Sequence, residues 1–197
     1  MKLRTERCEE CGLERLAYDA IHVTVSPKQS RRVCTRCFNV LIAERAGVRF
    51  EHSDFAPIVL EDAAGTAHEF HFRTRHGADH IALDAFEIDQ QPGAYEFQVL
   101  GNPSDDPIAI FQRLFERMRR ELARTHIEAD ELGPRIARTA EGWVIRAQIE
   151  WDAEEQRGVP RLVVDGKDYS WDEIGHMLTS FEGFRVKMEV YDRSEER

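Results

Sequence analysis

Long apolar runs are missing from this chain: none approaches the ~18 residues that a membrane-spanning helix needs. The opening stretch, MKLRTERCEECG, has no apolar core of the kind that directs export. Also missing are a Gly-rich phosphate loop, a G-x-S-x-G elbow and an H-E-x-x-H helix, so no catalytic constellation of those kinds is assembled. Positive charge is scarce in the stretch that follows the first quarter. Residues 51–104 carry two Lys/Arg against ten Asp/Glu, whereas residues 1–50 carry ten against six. With a net charge of −10, the chain joins a weakly basic head to an acidic body. Such a body repels nucleic acid and confines any contact of that kind to the head. The expectation is a cytoplasmic, bacterial-type protein without membrane contact.

Cysteine is also scarce, and its placement is informative. The four cysteines form two C-x2-C pairs, Cys8/Cys11 and Cys34/Cys37, with none left over. A C-x2-C turn brings two sulfurs to one metal, and two turns complete the tetrahedral thiolate shell that Zn²⁺ accepts. A disulfide framework is disfavoured without an export signal. A single redox pair would leave the second pair unexplained. With every cysteine committed to one structural Zn²⁺, thiol catalysis is removed as well.

The flanking residues supply the rest of a small module. Gly12 suits a metal knuckle, Ile21, Val23 and Val25 share one side of a strand, and residues 26–30 turn it into a hairpin whose second arm is 31–33. His22 falls on the opposite side and reads as a surface residue. After Cys34 and Cys37, Val40, Leu41, Ala43 and Glu44 give a short helical pattern closed by Gly47. Knuckle, hairpin, knuckle and helix in that order resemble the treble-clef class of zinc modules over residues 8–47. The resemblance implies a fold and a closed site; treble clefs serve many functions, so none transfers. A module this small depends on its metal to fold.

From residue 51 the pattern changes to short strands over 58–61, 66–74, 80–89 and 94–100, an antiparallel meander. In the third strand the alternation slips from Ile81 and Leu83 to Phe86 and Ile88, which predicts a β-bulge near Asp84-Ala85. His68, His71, His76 and His80 cluster in sequence. On a strand His68 and His71 point to opposite faces, so they read as sheet-face and turn histidines, not chelators. Pro107 begins a long amphipathic helix whose stripe is Ile108, Phe111, Phe115, Met118 and Leu122. Its arginines, 113, 117, 120 and 124, can be neutralised by Glu116 and Glu121.

The last third reads as strand 142–151, strand 161–164, a helix opened by the capping box Ser170-Trp171-Asp172-Glu173, and strand 184–190. That is a ββαβ unit, with Trp143 and Trp151 assigned to its core. The motifs Asp165-Gly166-Lys167, Ser170-Trp171 with Glu173, and Glu182-Gly183-Phe184 look like a C-terminal module of bacterial proteins of unknown function.

The fold class expected is therefore α+β in three units: a zinc head (1–50), a sheet with a packing helix (51–132) and a ββαβ unit (133–197). Loss of Cys34 should loosen the head and leave the body folded. The functional expectation is a non-catalytic adaptor or regulatory protein that contacts an unknown protein partner or self-associates. A nucleic-acid binder using Arg31, Arg32, Arg36, Arg45 and Arg49 is the alternative. An enzyme with a site on the middle sheet would require His68 or His71 to meet acids in a pocket.

Overall fold

A computed structural model describes residues 4–26, 29–77, 79–88, 94–131, 133–151, 158–192 and 194–195. The turn residues 27–28, the 91–93 turn and most of the polar excursion after Trp151 lie outside the described residues. The chain is mixed α and β, with several antiparallel sheets and three α-helices among the described residues. No described helix is long and apolar enough to cross a membrane.

The first residues build two antiparallel hairpins and a helix: β1 (Thr5–Arg7) with β2 (Glu14–Leu16), β3 (Ala20–Ser26) with β4 (Gln29–Cys34), then α1 (Thr35–Ala46). Gly47 ends α1 in the left-handed conformation, φ 66°, and its N–H donates to Ala43 and Glu44. The buried face of α1 consists of Thr35, Asn39 and Ala43, while Val40 is turned outward. The expected apolar face was thus misplaced, because its centre is a buried asparagine.

The meander forms as expected: β5 (Ile58–Glu61), β6 (Ala67–His76), β7 (Ile81–Glu87) and β8 (Glu96–Gly101) lie in that order. The predicted bulge is absent; β7 keeps continuous register with both neighbours. Its apparent slip has another cause. From Ile81 to Phe86 every residue is buried, because β7 is covered on both faces, and strands of that kind need no alternation. Ile81, Leu83 and Ala85 face the core beneath helix α2 (Pro107–Leu122), and Phe86 meets Tyr18 of the head at 5.2 Å between ring centroids.

Helix α2 starts where Pro107 predicts, with the Asp106 carboxylate accepting from the Ile108 amide at 3.0 Å. Its buried line is Ile110, Leu114, Met118 and Leu122, whereas Ile108 is exposed. The stripe read from sequence was therefore rotated toward the large aromatics, of which Phe111 packs only at the core's margin. Glu121 pairs with Arg120 and Arg124. Arg113 and Arg117 instead donate to the Leu100 and Gln98 carbonyls of β8, at 2.9 and 3.0 Å. They satisfy an edge strand that would otherwise be open.

A third core gathers Ile127, Ile136, Leu162, Val164, Ile174 and Met177. It is built from the hairpin β9 (Ile127–Asp130)–β10 (Gly133–Ile136), the small pair β11 (Arg138–Thr139)–β12 (Gly142–Trp143) at its side, the sheet β13 (Gln148–Glu150)–β14 (Arg161–Val164)–β15 (Lys167–Tyr169), and α3 (Trp171–Leu178). The capping box of Ser170 and Glu173 is present in both directions. The ββαβ order is corrected here. Strand β15 follows a two-residue Asp165-Gly166 turn, and residues 184–190 belong to no sheet among the described residues. Trp143 and Trp151 are exposed, not core, since the long strand expected over 142–151 is broken into two short pieces.

Candidate metal centre

The tip of the β1–β2 hairpin carries Cys8 and Cys11. Cys8 N–H donates to the Leu13 carbonyl and Gly12 N–H to the Cys8 carbonyl, with Gly12 at φ 73°, a turn that aims two sulfurs the same way. The other pair sits where β4 meets α1: Cys34 is the extended residue before the helix and Cys37 lies in its first turn. Asp19 holds that helix start, accepting from the Thr35 amide at 3.3 Å, while the Thr35 hydroxyl donates to the Asp19 carbonyl at 3.0 Å.

These elements bring the four sulfurs together, all within 4.8 Å of one another. Cys11 Sγ and Cys34 Sγ are 4.0 Å apart. A zinc–sulfur bond of about 2.3 Å sets tetrahedral sulfurs roughly 3.8 Å apart, so the cluster fits a single ion. Burial pushes the Cys8 thiol up, but backbone N–H groups of Cys11, Cys34 and Glu10 outweigh it and bring Cys8 down to about 6. One of them is the Cys34 amide, 3.2 Å from Cys8 Sγ. Burial pushes Cys34 and Cys37 up, and the neighbouring thiols push Cys37 up further. One sulfur is thus readily ionised while two others hold their protons. A metal ion supplies the charge that would ionise all of them.

The centre is fixed to the sheet through α1. Strand β5 pairs with β6 only as far as Phe70, which leaves the rest of β6 with an open edge. Asn39, fully buried, occupies that edge: Nδ2 donates to the Thr74 carbonyl at 2.7 Å, and Oδ1 accepts from the His76 amide at 2.8 Å. Tyr18, just before β3, covers the adjoining face, with its hydroxyl 3.4 Å from His71 Nδ1 and its carbonyl accepting from Arg73. Below it Asp84, with no exposed surface, accepts from Arg73, Arg75 and Gln98. No sequence motif marks Tyr18, Asn39 or Asp84 as junction residues. A polar side chain at a position of apolar periodicity was the only available signal, and Asn39 carries it.

The arginines of the head do not form one surface. Arg31 pairs with Glu10 at 2.7 Å and Arg32 with Glu6 at 3.0 Å. Arg36, Arg45 and Arg49 are exposed; Arg36 lies in the first turn of α1, while Arg45 and Arg49 lie at and beyond its other end. His22 is exposed, as expected. The four histidines of β6 and its turn separate. His68 sits between Glu87 and Asp62, at 2.8 and 3.3 Å, and His80 is exposed beside Asp79. His71 and His76 lie on β6, as a sheet-face reading expects, and both are buried, because Tyr18 packs on His71 and Phe50 packs edge-on against His76. An open cleft of about 750 Å³ runs between head and sheet, lined by His22, Arg73, Arg75, His76 and His80 among others. Both arginines are already committed to Asp84.

Three family models match the chain, each described as a domain of unknown function: DUF7685 over residues 7–49, DUF7686 over 51–123 and DUF7713 over 126–195. Between them they cover nearly the whole chain, and no zinc-finger family is among them. No curated protein and no solved structure matches.

Proposed function

We propose that this chain is a non-catalytic adaptor whose head is a treble-clef module closed by one Zn²⁺ on Cys8, Cys11, Cys34 and Cys37. The observation that carries the metal reading is the convergence of four sulfurs from two separate C-x2-C turns. The ion's role there is structural: it supplies positive charge to four thiolates and ties a knuckle to a helix start. Protein contact is favoured over nucleic acid by the use of the basic residues. Arg31 and Arg32 are spent on glutamates within the head, so its positive field is weaker than its arginine count suggests. What α1 offers outward is a mixed stripe, Arg36, Val40 and Glu44 at four-residue spacing, of the composition that suits a protein partner.

The test is affinity capture of the tagged full chain from its native cells after nuclease treatment. A stoichiometric protein that is lost with both Cys34→Ser and Arg36→Glu supports the reading. Capture of nucleic acid instead, with affinity that falls steeply as salt rises and is abolished by Arg45→Glu with Arg49→Glu, would transfer the head to the nucleic-acid reading.

A further inference from the structure

After α3 and its closing turn, residues 184–190 belong to no helix or strand, and their sequence alternates without error. Phe184, Val186, Met188 and Val190 fall on one side, and Arg185, Lys187 and Glu189 on the other. The 2.7 Å ion pair between Lys187 Nζ and Glu189 Oε1 places those two side chains together on the polar side. The start is fixed: the Phe184 amide donates to the Phe181 carbonyl at 2.9 Å, and its ring packs edge-on against Phe181 and Trp143. Beyond that anchor Val186, Met188 and Val190 are 79%, 68% and 74% exposed. This is the largest concentration of solvent-facing apolar side chains among the described residues, and it has the period of a half-buried strand without a sheet to belong to.

We infer that residues 185–191 pair with the same residues of a second copy of this chain, as a two-fold antiparallel strand pair centred on Met188. The charge pattern selects this occupant and this register. Residues opposed across an antiparallel pair share a face, so apolar positions must oppose apolar ones. A parallel, in-register pair would set Lys187 on Lys187 and Glu189 on Glu189. An antiparallel pair centred on Lys187 sets the two lysines against each other, one centred on Val186 sets Arg185 against Lys187, and one centred on Glu189 sets the two glutamates together. Centring on Met188 alone removes every like-charge pair. Lys187 then faces Glu189 of the other copy twice, Val186 faces Val190 twice, and Met188 faces itself. Each Lys187 exchanges the Glu189 of its own strand for that of its partner. A bare two-stranded ribbon is marginal in water. Here its apolar side continues the surface of Phe184 and Trp143, the latter 49% exposed, which gives the ribbon something to pack on. The inference does not depend on the metal head, and neither reading falls with the other.

The experiment is sedimentation equilibrium of the metal-loaded full chain over a wide concentration range. A dimer is expected. Met188→Glu should weaken it about 100-fold, since two carboxylates would meet on the axis. Lys187→Glu should weaken it about tenfold, and adding Glu189→Lys to that variant should restore it, because the pairs re-form with signs exchanged. These side chains are exposed, so all variants should keep the parent's melting behaviour in their monomeric form. A chain that stays monomeric throughout, a dimer indifferent to Met188→Glu, or a double exchange that fails to restore association would each overturn the inference.

Discussion

Asn39 illustrates how much one side chain can hold. Its amide satisfies a carbonyl and an N–H of β6 and also lies 3.1 Å from His52 Nδ1. Replacement by alanine leaves two buried backbone groups without partners, each worth about 1–3 kcal/mol. Asn39→Ala should therefore cost about 3 kcal/mol in urea unfolding, whereas Val40→Ala, one position along and exposed, should change little. Asp165 is the comparable residue of the third core. Burial raises its carboxyl, but the His126 ring and the amides of Ile127 and His126 more than offset this and hold it below the usual aspartate range. A depressed carboxylate stabilises fully above its unfolded value near 3.9 and loses that stabilisation as pH falls through the lower folded value. The melting temperature should drop over that acid window, and Asp165→Asn should flatten the drop. At the metal centre the sign is similar in outcome but differs in cause. Thiols that hold their protons compete with the ion, so the proposed zinc should be released on acidification, with proton uptake measurable in weakly buffered solution. Metal analysis should give about one Zn per chain at neutral pH and much less for Cys34→Ser.

Among the elements, the turn between β14 and β15 is the most sharply constrained. Asp165 and Gly166 both have positive φ, 49° and 68°, the two-residue connection that a right-twisted hairpin favours. A Cβ on Gly166 would also come within 2.7 Å of the Tyr95 ring, which reaches over from the middle sheet. Gly166→Ala thus carries both backbone strain and a collision, and it should destabilise the chain by about 2 kcal/mol. In a Tyr95→Leu background the collision is relieved while the strain of about 1 kcal/mol remains, so thermal melts of the double-mutant cycle should show coupling. The same turn explains why β15 escaped sequence reading: Lys167-Asp168-Tyr169 has no apolar alternation, and only the pairing with β14 makes it a strand.

For the whole molecule, the head acts as a layer of the fold. Tyr18 lies against the face of β6 and β7 that α2 does not cover, and Asn39 of α1 closes the open edge of β6, so removing the proposed metal should loosen both. Sequence alone suggested that loss of Cys34 would leave the body intact. The structure revises this: hydrogen exchange after chelation should show amides of β6 and β7 losing protection together with those of α1. The third core, Ile127 through Met177, has its own apolar cluster and should keep its protection.

What the sequence determined by itself was local. Two C-x2-C spacings, a capping box, a Pro at a helix start and a Gly at a helix end each fix a few consecutive residues, and each appears in the structure. Alternation likewise gave the four strands of the meander. The tertiary structure decided what lies on the outside of each element. It turned β7 from a bulged strand into one buried on both faces, rotated the buried line of α2 onto Ile110 and Leu114, and placed Asn39, His71 and Asp84 in the interior. It also left Trp143, Trp151 and the 184–190 alternation exposed. The reason is physical: periodicity shows that a face is apolar, but whether a layer covers that face, and which polar groups must then be satisfied beneath it, depends on contacts between residues far apart in the chain.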